Sequence, residues 1–551
     1  MPSYEALAGQ ATAWMEQDPD PVTRDELAAL IDAARTDESA LADLTDRFSG
    51  PLEFGTAGLR GALGAGPHRM NRVVVAQAAS GLATYVHRNA GRDPSVVIGF
   101  DARHNSDVFA RDTAEIMQAA GVRAYVLPEP LPTPVLAFAI RHLGCDAGVM
   151  VTASHNPPQD NGYKVYLGDG SQIVPPADTE IAAAIASVGR VDAIHRDDGY
   201  TVLDDAVHDA YVNAVAALVG DGPRTLTSVH TSLHGVGDAT VRRVVDAAGF
   251  TPMHAVAEQG APDPEFPTVA FPNPEEPGAM DLALTLADED GADVVIANDP
   301  DADRCAVGVP DLHGWRMLRG DEVGVLLADA ALRRGETGTY ATTIVSSSLL
   351  HRLALAYGQP YAETLTGFKW IGRVPGLVYG YEEALGYAVA PHIARDKDGI
   401  SALVRVLELA SELNADGRTL LDRLDEIAAE HGVHATDQLS VRVDRLPLIA
   451  EALQRLRTDP PVALGGLSVV SVDDLARPAG SLPPTEGLRF SLADDARVVV
   501  RPSGTEPKLK CYLEAVVQPE PGAVDGVAAA RIAAAGRLDA IRTDLTALVQ
   551  I

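Results

Sequence analysis

Short runs of β-branched and aliphatic residues recur along most of the chain and alternate with stretches of helical periodicity. Apolar runs of four to eight residues are typical of buried strands, and apolar positions three or four residues apart are typical of amphipathic helices. The pattern therefore predicts α/β layers. An amphipathic helix is predicted over 71–88. Strands of three successive units are predicted at 95–101, 122–127 and 147–152, at 225–235, 252–256 and 291–299, and at 339–348 and 375–387.

The last hundred residues follow a different pattern, with polar and apolar side chains alternating in LSVRV, LRFSL, RVVVR and KLKCYLEAVV. Such alternation is typical of an antiparallel sheet with one covered face, so this part is predicted to be α+β. A chain of 551 residues is too long for one hydrophobic core. The predicted domains are 1–205, which includes a helical extension of about 50 residues, 206–320, 321–434 and 435–551.

The charge of the chain narrows the classes of partner. Lys and Arg number 44 and Asp and Glu number 77, for a formal net charge of −33. Such a surface repels nucleic acid, so no nucleic-acid partner is expected. No window reaches the length of about 18 apolar residues that a membrane span requires. The N-terminal stretch is acidic and the three cysteines are far apart, so we expect a cytoplasmic protein with no membrane partner.

The stretch VMVTASHNPPQDNGYKVY at 149–166 places a hydroxyl and an imidazole at the end of a buried strand. The Asn-Pro-Pro that follows prevents a helix from starting, so Ser154 and His155 are predicted on a tight loop. A serine hydroxyl is a weak nucleophile unless a base or a cation acts on it. His155 and Lys164 are available as proton carriers or phosphate partners. An ordinary turn with capping hydroxyls is the alternative for so short a motif.

The motif DPDADR places Asp299, Asp301 and Asp303 at alternate positions directly after an apolar strand. Side chains alternate with period two on an extended loop, so the three carboxylates are predicted to converge. Converging buried carboxylates repel one another unless a hard cation neutralises them, and Mg²⁺ suits a site that also contacts phosphate. A solvated acidic turn is the alternative in so acidic a chain.

Two known kinds of acidic loop begin with a sequence similar to DPDADR. A calcium-binding EF-hand loop requires Gly at its sixth position and Glu at its twelfth, where this chain has Arg304 and Pro310, so an EF-hand is excluded. A phosphatase of the aspartyl-phosphate type would make Asp299 the nucleophile. Such enzymes usually have Thr or Val where this chain has Asp303, and Ser154 would then have no role.

The motif RPSGTEPKLK at 501–510 has the composition of a phosphate-binding loop. The guanidinium of Arg501 can bind two phosphate oxygens, and Gly504 lets backbone amides approach an anion. Hydroxyls and further positive charge come from Ser503, Thr505, Lys508 and Lys510. A hairpin turn with incidental polar residues is the alternative.

Three further loops carry weaker signals. Adjacent glutamates Glu382 and Glu383 in YGYEEALGY could accept hydrogen bonds from sugar hydroxyls, although such pairs are often only an exposed helix start. TAGLRG presents Arg60 and TGFKW presents Lys369, each of which could contact phosphate or belong to a simple turn.

Taken together, TASHNP, DPDADR, GYEEALGY and RPSGTEPK stand in this order at wide spacing. From about residue 50 to its C-terminus the chain thereby resembles the α-D-phosphohexomutase superfamily, the phosphoglucomutases and phosphomannomutases. FGTAGLRG, DNGYKVY and GYEEALGY look most like the branch that includes phosphopentomutase-type enzymes. The resemblance implies four domains around a central cleft: three α/β sandwich-like domains and a C-terminal α+β domain with an antiparallel sheet.

The resemblance also implies an isomerase that interconverts the 1-phosphate and 6-phosphate of glucose or mannose through phosphoserine and a bisphosphate intermediate. Ser154 would carry the phosphoryl group and, with Asp299, Asp301 and Asp303, bind Mg²⁺. A sugar bisphosphate such as glucose 1,6-bisphosphate would prime the enzyme, which is expected to be a monomer or homodimer. The remaining site residues are Arg60, His155 and Lys164 in catalysis, and Arg304, Lys369, Glu382, Glu383, Arg501, Ser503, Gly504, Thr505 and Lys508 in substrate binding.

One position departs from the family's pattern. The sugar loop of the family commonly reads Glu-x-Ser, and here Ala384 stands at the serine position. The missing hydroxyl puts a strict glucose or mannose preference in doubt, so a phosphopentomutase acting on ribose or deoxyribose 1-phosphate remains an alternative. A sugar-bisphosphate synthase, a sugar-phosphate phosphatase and a non-enzymatic sugar-phosphate sensor are further alternatives.

Overall fold

The computed structural model describes residues 3–549 except 57, 444, 446, 479, 481 and 504–507. Contacts divide the chain into two compact units. The first unit comprises Met1–Met317 and Gly386–Ser411, and the second comprises Leu318–Leu385 and Glu412–Ile551. Among the described residues, no helix combines the length and the apolar character that crossing a membrane would require.

The first unit begins with three helices that share a small core. The side chains of Asp20 and Asp37 accept hydrogen bonds from backbone N–H groups at the starts of the second and third helices, which fixes where each begins. Leu7, Leu27 and Leu44 are fully buried in the core between them. The helices are α1 (Tyr4–Met15), α2 (Pro21–Ala33) and α3 (Glu38–Arg47).

The first sheet of this unit has six strands in the order β1-β5-β4-β2-β3-β6. β2 is parallel to both of its neighbours, whereas β5 is antiparallel to β4 and β1. Every residue of β2 and β4 is buried, which explains why their sequences are apolar without alternation. The strands are β1 (Leu59–Ala62), β2 (Ser95–Phe100), β3 (Arg123–Val126), β4 (Ala147–Val151), β5 (Asp160–Leu167) and β6 (Thr201–Val202). The helices are α4 (Arg72–Asn89), α5 (Ser106–Ala119), α6 (Thr133–Leu143), α7 (Ala177–Ala186) and α8 (Ala206–Ala216).

The second sheet of the first unit has five strands in the order β11-β10-β9-β7-β8. β7 and β9 are parallel and fully buried, and β10 returns antiparallel to β9. The strands are β7 (Ser228–Thr231), β8 (His254–Ala255), β9 (Val294–Ala297), β10 (Ala306–Asp311) and β11 (Gly314–Met317). The helices are α9 (Gly237–Ala247), α10 (Ala257–Gly260) and α11 (Asp281–Asp290). The later segment of this unit contains β15 (Gly386–Ala388) and most of α15 (Gly399–Ala415).

The second unit starts with an α/β layer in which β12 lies between β13 and β14 and runs parallel to both. The strands are β12 (Thr339–Thr343), β13 (Tyr361–Thr364) and β14 (Leu377–Glu382). The helices are α12 (Gly320–Arg333), α13 (Leu349–Ala356), α14 (Phe368–Ile371) and α16 (Leu420–His431).

The C-terminal part of the second unit is an antiparallel sheet in the order β16-β21-β20-β19-β18-β17, which confirms the α+β prediction. One face packs on two helices, so buried and partly exposed residues alternate along β19. The strands are β16 (Val433–Arg442), β17 (Ala463–Leu464), β18 (Leu467–Asp474), β19 (Leu488–Leu492), β20 (Arg497–Pro502) and β21 (Lys508–Val517). The helices are α17 (Pro447–Thr458) and α18 (Gly526–Leu548).

A buried ion pair joins β20 to β21 inside this unit. Arg497 Nε donates to Glu514 Oε2 at 2.7 Å, and Ser347 Oγ and the Ser348 N–H donate to Glu514 Oε1, each at 2.8 Å. Burial alone would raise the pKa of Glu514, but the Arg497 charge and the hydrogen bonds outweigh it and lower the pKa to about 2. The carboxylate is therefore a stabilising group only while it is ionised.

Acid is expected to remove this stabilisation. The pKa of Glu514 is lower in the folded state than in the unfolded chain, so its contribution is fully present above about pH 4.5 and is lost as pH falls toward about 2. At neutral pH, Glu514→Gln should cost about 3 kcal/mol, since it leaves a buried arginine without its charge partner. The thermal midpoints of the wild type and the variant should converge as pH is lowered through this window. A constant difference from pH 7 to pH 3 would contradict the assignment, and surface Glu520→Gln is the matched control.

Candidate active site

Ser154 follows β4 on a tight loop of strained backbone. The φ of Ser154 is +53°, a left-handed conformation that is uncommon outside glycine. The Thr152 hydroxyl accepts a hydrogen bond from the backbone N–H of Ser154 at 2.9 Å. The residue is 3% exposed. Ser154 Oγ donates to Asp299 Oδ2 at 2.8 Å and lies 3.3 Å from Nδ1 of His155. The loop therefore directs the serine hydroxyl at the acidic motif that follows β9.

Asp299, Asp301 and Asp303 converge on one point. The three side chains are fully buried, and each offers a carboxylate oxygen within 4.8 Å of the other two. Ala302, between two of them, has a φ of +54°, which bends the loop inward. Oδ1 of Asp301 and Oδ1 of Asp303 have no hydrogen-bond partner among the described residues. Buried carboxylate oxygens without donors fit a hard divalent cation, so the donor set could bind a metal such as Mg²⁺.

Buried cations offset part of this negative charge. Lys164 Nζ donates to Asp301 Oδ2 at 2.6 Å and to Asp303 Oδ2 at 3.0 Å, and Lys397 Nζ lies 3.1 Å from Asp303 Oδ2. Burial works to raise the pKa of Asp303, but these two lysines outweigh it and hold that pKa below its ordinary value. Within the described part of the chain Asp299 has no lysine partner, so burial and the two neighbouring carboxylates raise its pKa to about 8.

Three of the other sequence-predicted residues surround the serine in the same unit. Arg60 lies on β1, and its Nη1 donates to Asn156 Oδ1 at 3.2 Å. The backbone N–H of Arg304 donates to Asp299 Oδ1 at 3.0 Å, and the Arg304 Nε lies 3.9 Å from Asp299 Oδ2. Burial, followed by the charges of Arg304 and Arg60, lowers the pKa of His155 well below its ordinary value. The imidazole is therefore neutral at physiological pH and can accept a proton.

Sequence reasoning missed three residues that hold this site together. Lys397 lies in RDKDG, where acids on both sides of a lysine could have indicated a buried ion pair. Thr133 Oγ1 donates to Asp301 Oδ2 at 2.6 Å from the start of α6, and no sequence signal marks it. Arg103 follows β2 in FDARHN, far from Ser154 in the sequence.

Arg103 fixes the backbone of the serine loop. Its guanidinium donates to four carbonyl oxygens, of Ser154 at 2.6 Å, Asn156 at 2.5 Å, Pro157 at 2.8 Å and Asp160 at 3.1 Å. Its Nε lies 3.3 Å from Asp101 Oδ2, and both side chains are 1% exposed. Because the planar fork of an arginine reaches all four carbonyls at once, we assign Arg103 as a positioning residue.

Replacing Arg103 by lysine should loosen the serine loop without removing the positive charge. An ammonium group has three donors at one point and cannot bind four spread carbonyls, so we expect kcat/KM to fall about 100-fold, as a misplacement of about 1 Å does. Steady-state kinetics with surface Arg88→Lys as the control measures this. Unchanged turnover in a folded Arg103→Lys variant would contradict the positioning role.

The sugar-loop candidates lie in the second unit, at the end of β14. Glu383 faces the interior, where its Oε2 accepts hydrogen bonds from Ser346 Oγ at 2.8 Å and Thr343 Oγ1 at 3.2 Å. Burial, followed by the charges of Glu382 and Asp321, raises the pKa of Glu383 to about 7. Glu383 is therefore hydrogen-bonded within its own domain, and Glu382 stays the residue predicted to contact the sugar hydroxyls.

The phosphate-loop candidates also lie in the second unit. Arg501 is on β20, opposite Lys510 of β21. The Ser503 N–H donates to the carbonyl of Lys508 at 2.8 Å. Gly504 and Thr505 lie outside the described residues. Lys369 is on the short helix α14, after Gly367 with a φ of +103°.

The fold and the site together define a class of protein, an α/β enzyme with a serine hydroxyl directed at an acidic loop that could bind a metal. Four family profiles match the chain. They are phosphoglucomutase/phosphomannomutase alpha/beta/alpha domain I at residues 51–191, domain II at 209–314, domain III at 319–431 and the C-terminal domain at 439–530. The chain belongs to this family, within the α-D-phosphohexomutase superfamily, and is a sugar phosphate mutase, an isomerase of four domains.

Several relatives cover most of the chain. A Haemophilus influenzae protein named "Probable phosphomannomutase" is 50% identical over 81% of this chain and 93% of its own length. The phosphopentomutase of Homo sapiens is 35% identical over 94% of this chain and 92% of its own length. The phosphoglucomutase of Staphylococcus haemolyticus is 35% identical over 85% and 90%. The crystal structure of a phosphoglucomutase/phosphomannomutase family protein from Burkholderia thailandensis shares the fold, with a TM-score of 0.70, 22% identity and coverage of 90% and 97%.

Proposed function

We propose that the protein interconverts the 1-phosphate and 6-phosphate of glucose or mannose, with Ser154 as the phosphoryl carrier. Phosphorylated Ser154 would give its phosphoryl group to the free hydroxyl of the sugar monophosphate and form a bisphosphate. The bisphosphate would then turn over and return its other phosphoryl group to Ser154. The observation that carries this proposal is the 2.8 Å hydrogen bond from Ser154 Oγ to Asp299, at the centre of three carboxylates.

The residues of the first unit would share the chemistry of transfer. Asp299, Asp301 and Asp303, together with Ser154, would hold Mg²⁺, which offsets negative charge on the transferring oxygens when bound. The neutral imidazole of His155, next to Ser154, would accept the proton of the attacking sugar hydroxyl and pass it to Ser154 Oγ as that oxygen loses the phosphoryl group. The cations Arg60, Lys164 and Arg304 would stabilise the charge of the transition state.

The residues of the second unit would orient the sugar. Glu382 would accept hydrogen bonds from sugar hydroxyls, whereas Glu383 would hold the loop through Ser346. The phosphate that does not react would bind the loop after β20. Because it would be held in a fixed position there, the sugar would be oriented for phosphoryl transfer. The residues proposed for phosphate and substrate binding are Lys369, Arg501, Ser503, Gly504, Thr505 and Lys508.

A phosphopentomutase activity is the second candidate. Ala384 offers no hydroxyl in the sugar loop, and the human relative named phosphopentomutase matches 94% of this chain. The smaller ribose needs fewer contacts from this loop than a hexose. Substrate comparison can separate the two activities because both use the same transfer chemistry.

Phosphorus NMR tests the proposal. The full-length protein is incubated with Mg²⁺, a trace of glucose 1,6-bisphosphate and one of three substrates, the 1-phosphates of glucose, mannose and ribose. We expect the glucose and mannose 1-phosphate resonances to be replaced by those of the 6-phosphates, and mass spectrometry to find phosphate on Ser154. Conversion of ribose 1-phosphate alone would establish the pentose activity instead. Release of inorganic phosphate would indicate a phosphatase, and net accumulation of bisphosphate from an added phosphoryl donor would indicate a synthase.

Restoring the missing hydroxyl should shift the substrate preference. In Ala384→Ser, one new hydrogen bond to a hexose is expected to raise the ratio of kcat/KM for glucose 1-phosphate to that for ribose 1-phosphate by about tenfold. The same NMR assay measures both rates, with surface Ala356→Ser as the control. An unchanged ratio would mean that this position does not contact the sugar.

A further inference from the structure

A cavity of about 210 Å³ lies beside the second sheet of the first unit, where β7 and β8 face α9. Its wall is mostly apolar and includes Val241, Val245 and Met253. Two polar side chains, His230 of β7 and Asp238 of α9, meet at the lining of the cavity. None of these residues takes part in the proposed phosphoryl transfer.

The carboxylate of Asp238 is buried, and only one of its two oxygens has a hydrogen-bond partner among the described residues. The Asp238 side chain is 4% exposed, and its Oδ1 has no hydrogen-bond partner in the part of the chain that the structure describes. Its other oxygen, Oδ2, pairs with the guanidinium of Arg242, which extends into solvent. Oδ1 instead faces Nδ1 of His230 at 3.9 Å, too far apart for a direct hydrogen bond.

Neighbouring contacts identify Nε2 of His230 as a hydrogen-bond donor. Asn298 Nδ2 donates to the Arg304 carbonyl at 2.6 Å, so Asn298 Oδ1 is the atom that faces His230. His230 Nε2 therefore donates to Asn298 Oδ1 at 3.0 Å. Nδ1 of His230 and Oδ1 of Asp238 are too far apart for a direct hydrogen bond, so the buried Oδ1 has no donor among the described residues, at a cost that a bound donor would remove.

The charges around the cavity favour a cationic donor. The lining contains the carboxylates of Asp238 and Asp246 and the single cation Arg242, and the chain as a whole carries −33. A primary ammonium group has several donors at one atom and can bind a carboxylate and an imidazole at once. We propose that this cavity binds a small primary amine whose ammonium group lies between Asp238 and His230 and whose apolar body contacts Val241, Val245 and Met253.

The volume sets the size of the apolar body. A protein cavity of about 150 Å³ holds one benzene ring. A cavity of about 210 Å³ therefore admits a single ring and a short aminoalkyl group, such as an arylalkylamine. The ligand class is thus distinct from the sugar phosphates of the active site.

Isothermal titration of the full-length protein with benzylamine tests the proposal, with benzyl alcohol and benzoate as neutral and anionic probes. We expect benzylamine to bind with millimolar affinity, and the other two at least about tenfold more weakly, because each lacks a charge-assisted hydrogen bond. Asp238→Asn should weaken benzylamine binding by at least about tenfold. Asp288→Asn, which makes the same charge change outside the lining, should leave it within about twofold.

A second variant keeps the test decisive if Asp238→Asn does not fold. Met253 is only partly buried at the edge of the cavity, and Met253→Trp should fill it and remove benzylamine binding while circular dichroism remains that of the wild type. Binding should persist in the presence of saturating glucose 6-phosphate, since the two sites are separate. Absence of benzylamine binding, equal binding of benzyl alcohol, full competition by the sugar phosphate, or unchanged binding in a folded variant would each overturn the proposal.

Discussion

Replacing Ser154 by alanine is expected to reduce mutase turnover by on the order of 10⁴-fold or more, the scale of losing an enzyme's nucleophile. In the proposed reaction this hydroxyl, which donates to Asp299, forms the phosphate ester, and an alanine side chain has no oxygen to replace it. The change removes one buried hydrogen bond, so folding should be little affected, with a cost of about 1 kcal/mol.

The measurement combines the coupled mutase assay with intact-protein mass spectrometry. Wild type incubated with glucose 1,6-bisphosphate should gain one phosphoryl group, and Ser154→Ala should gain none while its thermal midpoint falls by no more than a few degrees. Surface Ser187→Ala is the matched control and should behave as the wild type does. Normal turnover in Ser154→Ala would refute the carrier role and, with it, the proposed reaction.

Two carboxylates of the same loop are expected to affect stability in opposite directions. Asp303 accepts from Lys164 and faces Lys397, so Asp303→Asn leaves two buried ammonium groups poorly compensated and should cost about 3 to 5 kcal/mol. Asp299, which faces neither lysine, is repelled by the other two carboxylates. In the absence of metal, Asp299→Asn should therefore be neutral or stabilising, since its amide oxygen can still accept from the Arg304 N–H and its NH2 group can donate to Ser154 Oγ.

Differential scanning calorimetry with and without Mg²⁺ measures both effects. Without metal, the midpoint of Asp303→Asn should fall by several degrees, and that of Asp299→Asn should stay level or rise. Added Mg²⁺ should raise the midpoint of the wild type and have a smaller effect on either variant. Both variants should lose at least about 100-fold in turnover, the upper range for disturbing the surroundings of a metal. Equal destabilisation by the two changes would contradict the charge distribution around this loop.

The order of elements was predictable because burial leaves a direct pattern in the sequence. β2 and β4 are buried on both faces and read as continuous apolar runs, whereas β19 alternates because only one of its faces is covered. The predicted helix over 71–88 is found at Arg72–Asn89. The predicted domain boundaries and the roles of the site residues stay predictions, to be decided by experiment.

The site was only partly predictable because several of its contacts join residues far apart in the chain. Adjacent glutamates look alike in YGYEEALGY, and only packing against Ser346 separates Glu383 from Glu382. Arg103 carries no signal in its local sequence, yet it binds four carbonyls of the serine loop 51 or more positions away.

The sequence by itself determined the α/β class, the antiparallel C-terminal sheet and the family, and it predicted the serine and the three aspartates as site residues. These features depend on hydrophobic periodicity and on short motifs, which are local properties of a chain. Tertiary structure alone decided that Ser154 lies 2.8 Å from Asp299 and that Lys397 joins Lys164 beside Asp303. It also decided that a buried oxygen of Asp238, without a hydrogen-bond partner among the described residues, borders a cavity beside β7. Such contacts depend on which strand ends lie close together in the folded protein, and no local sequence pattern specifies that proximity.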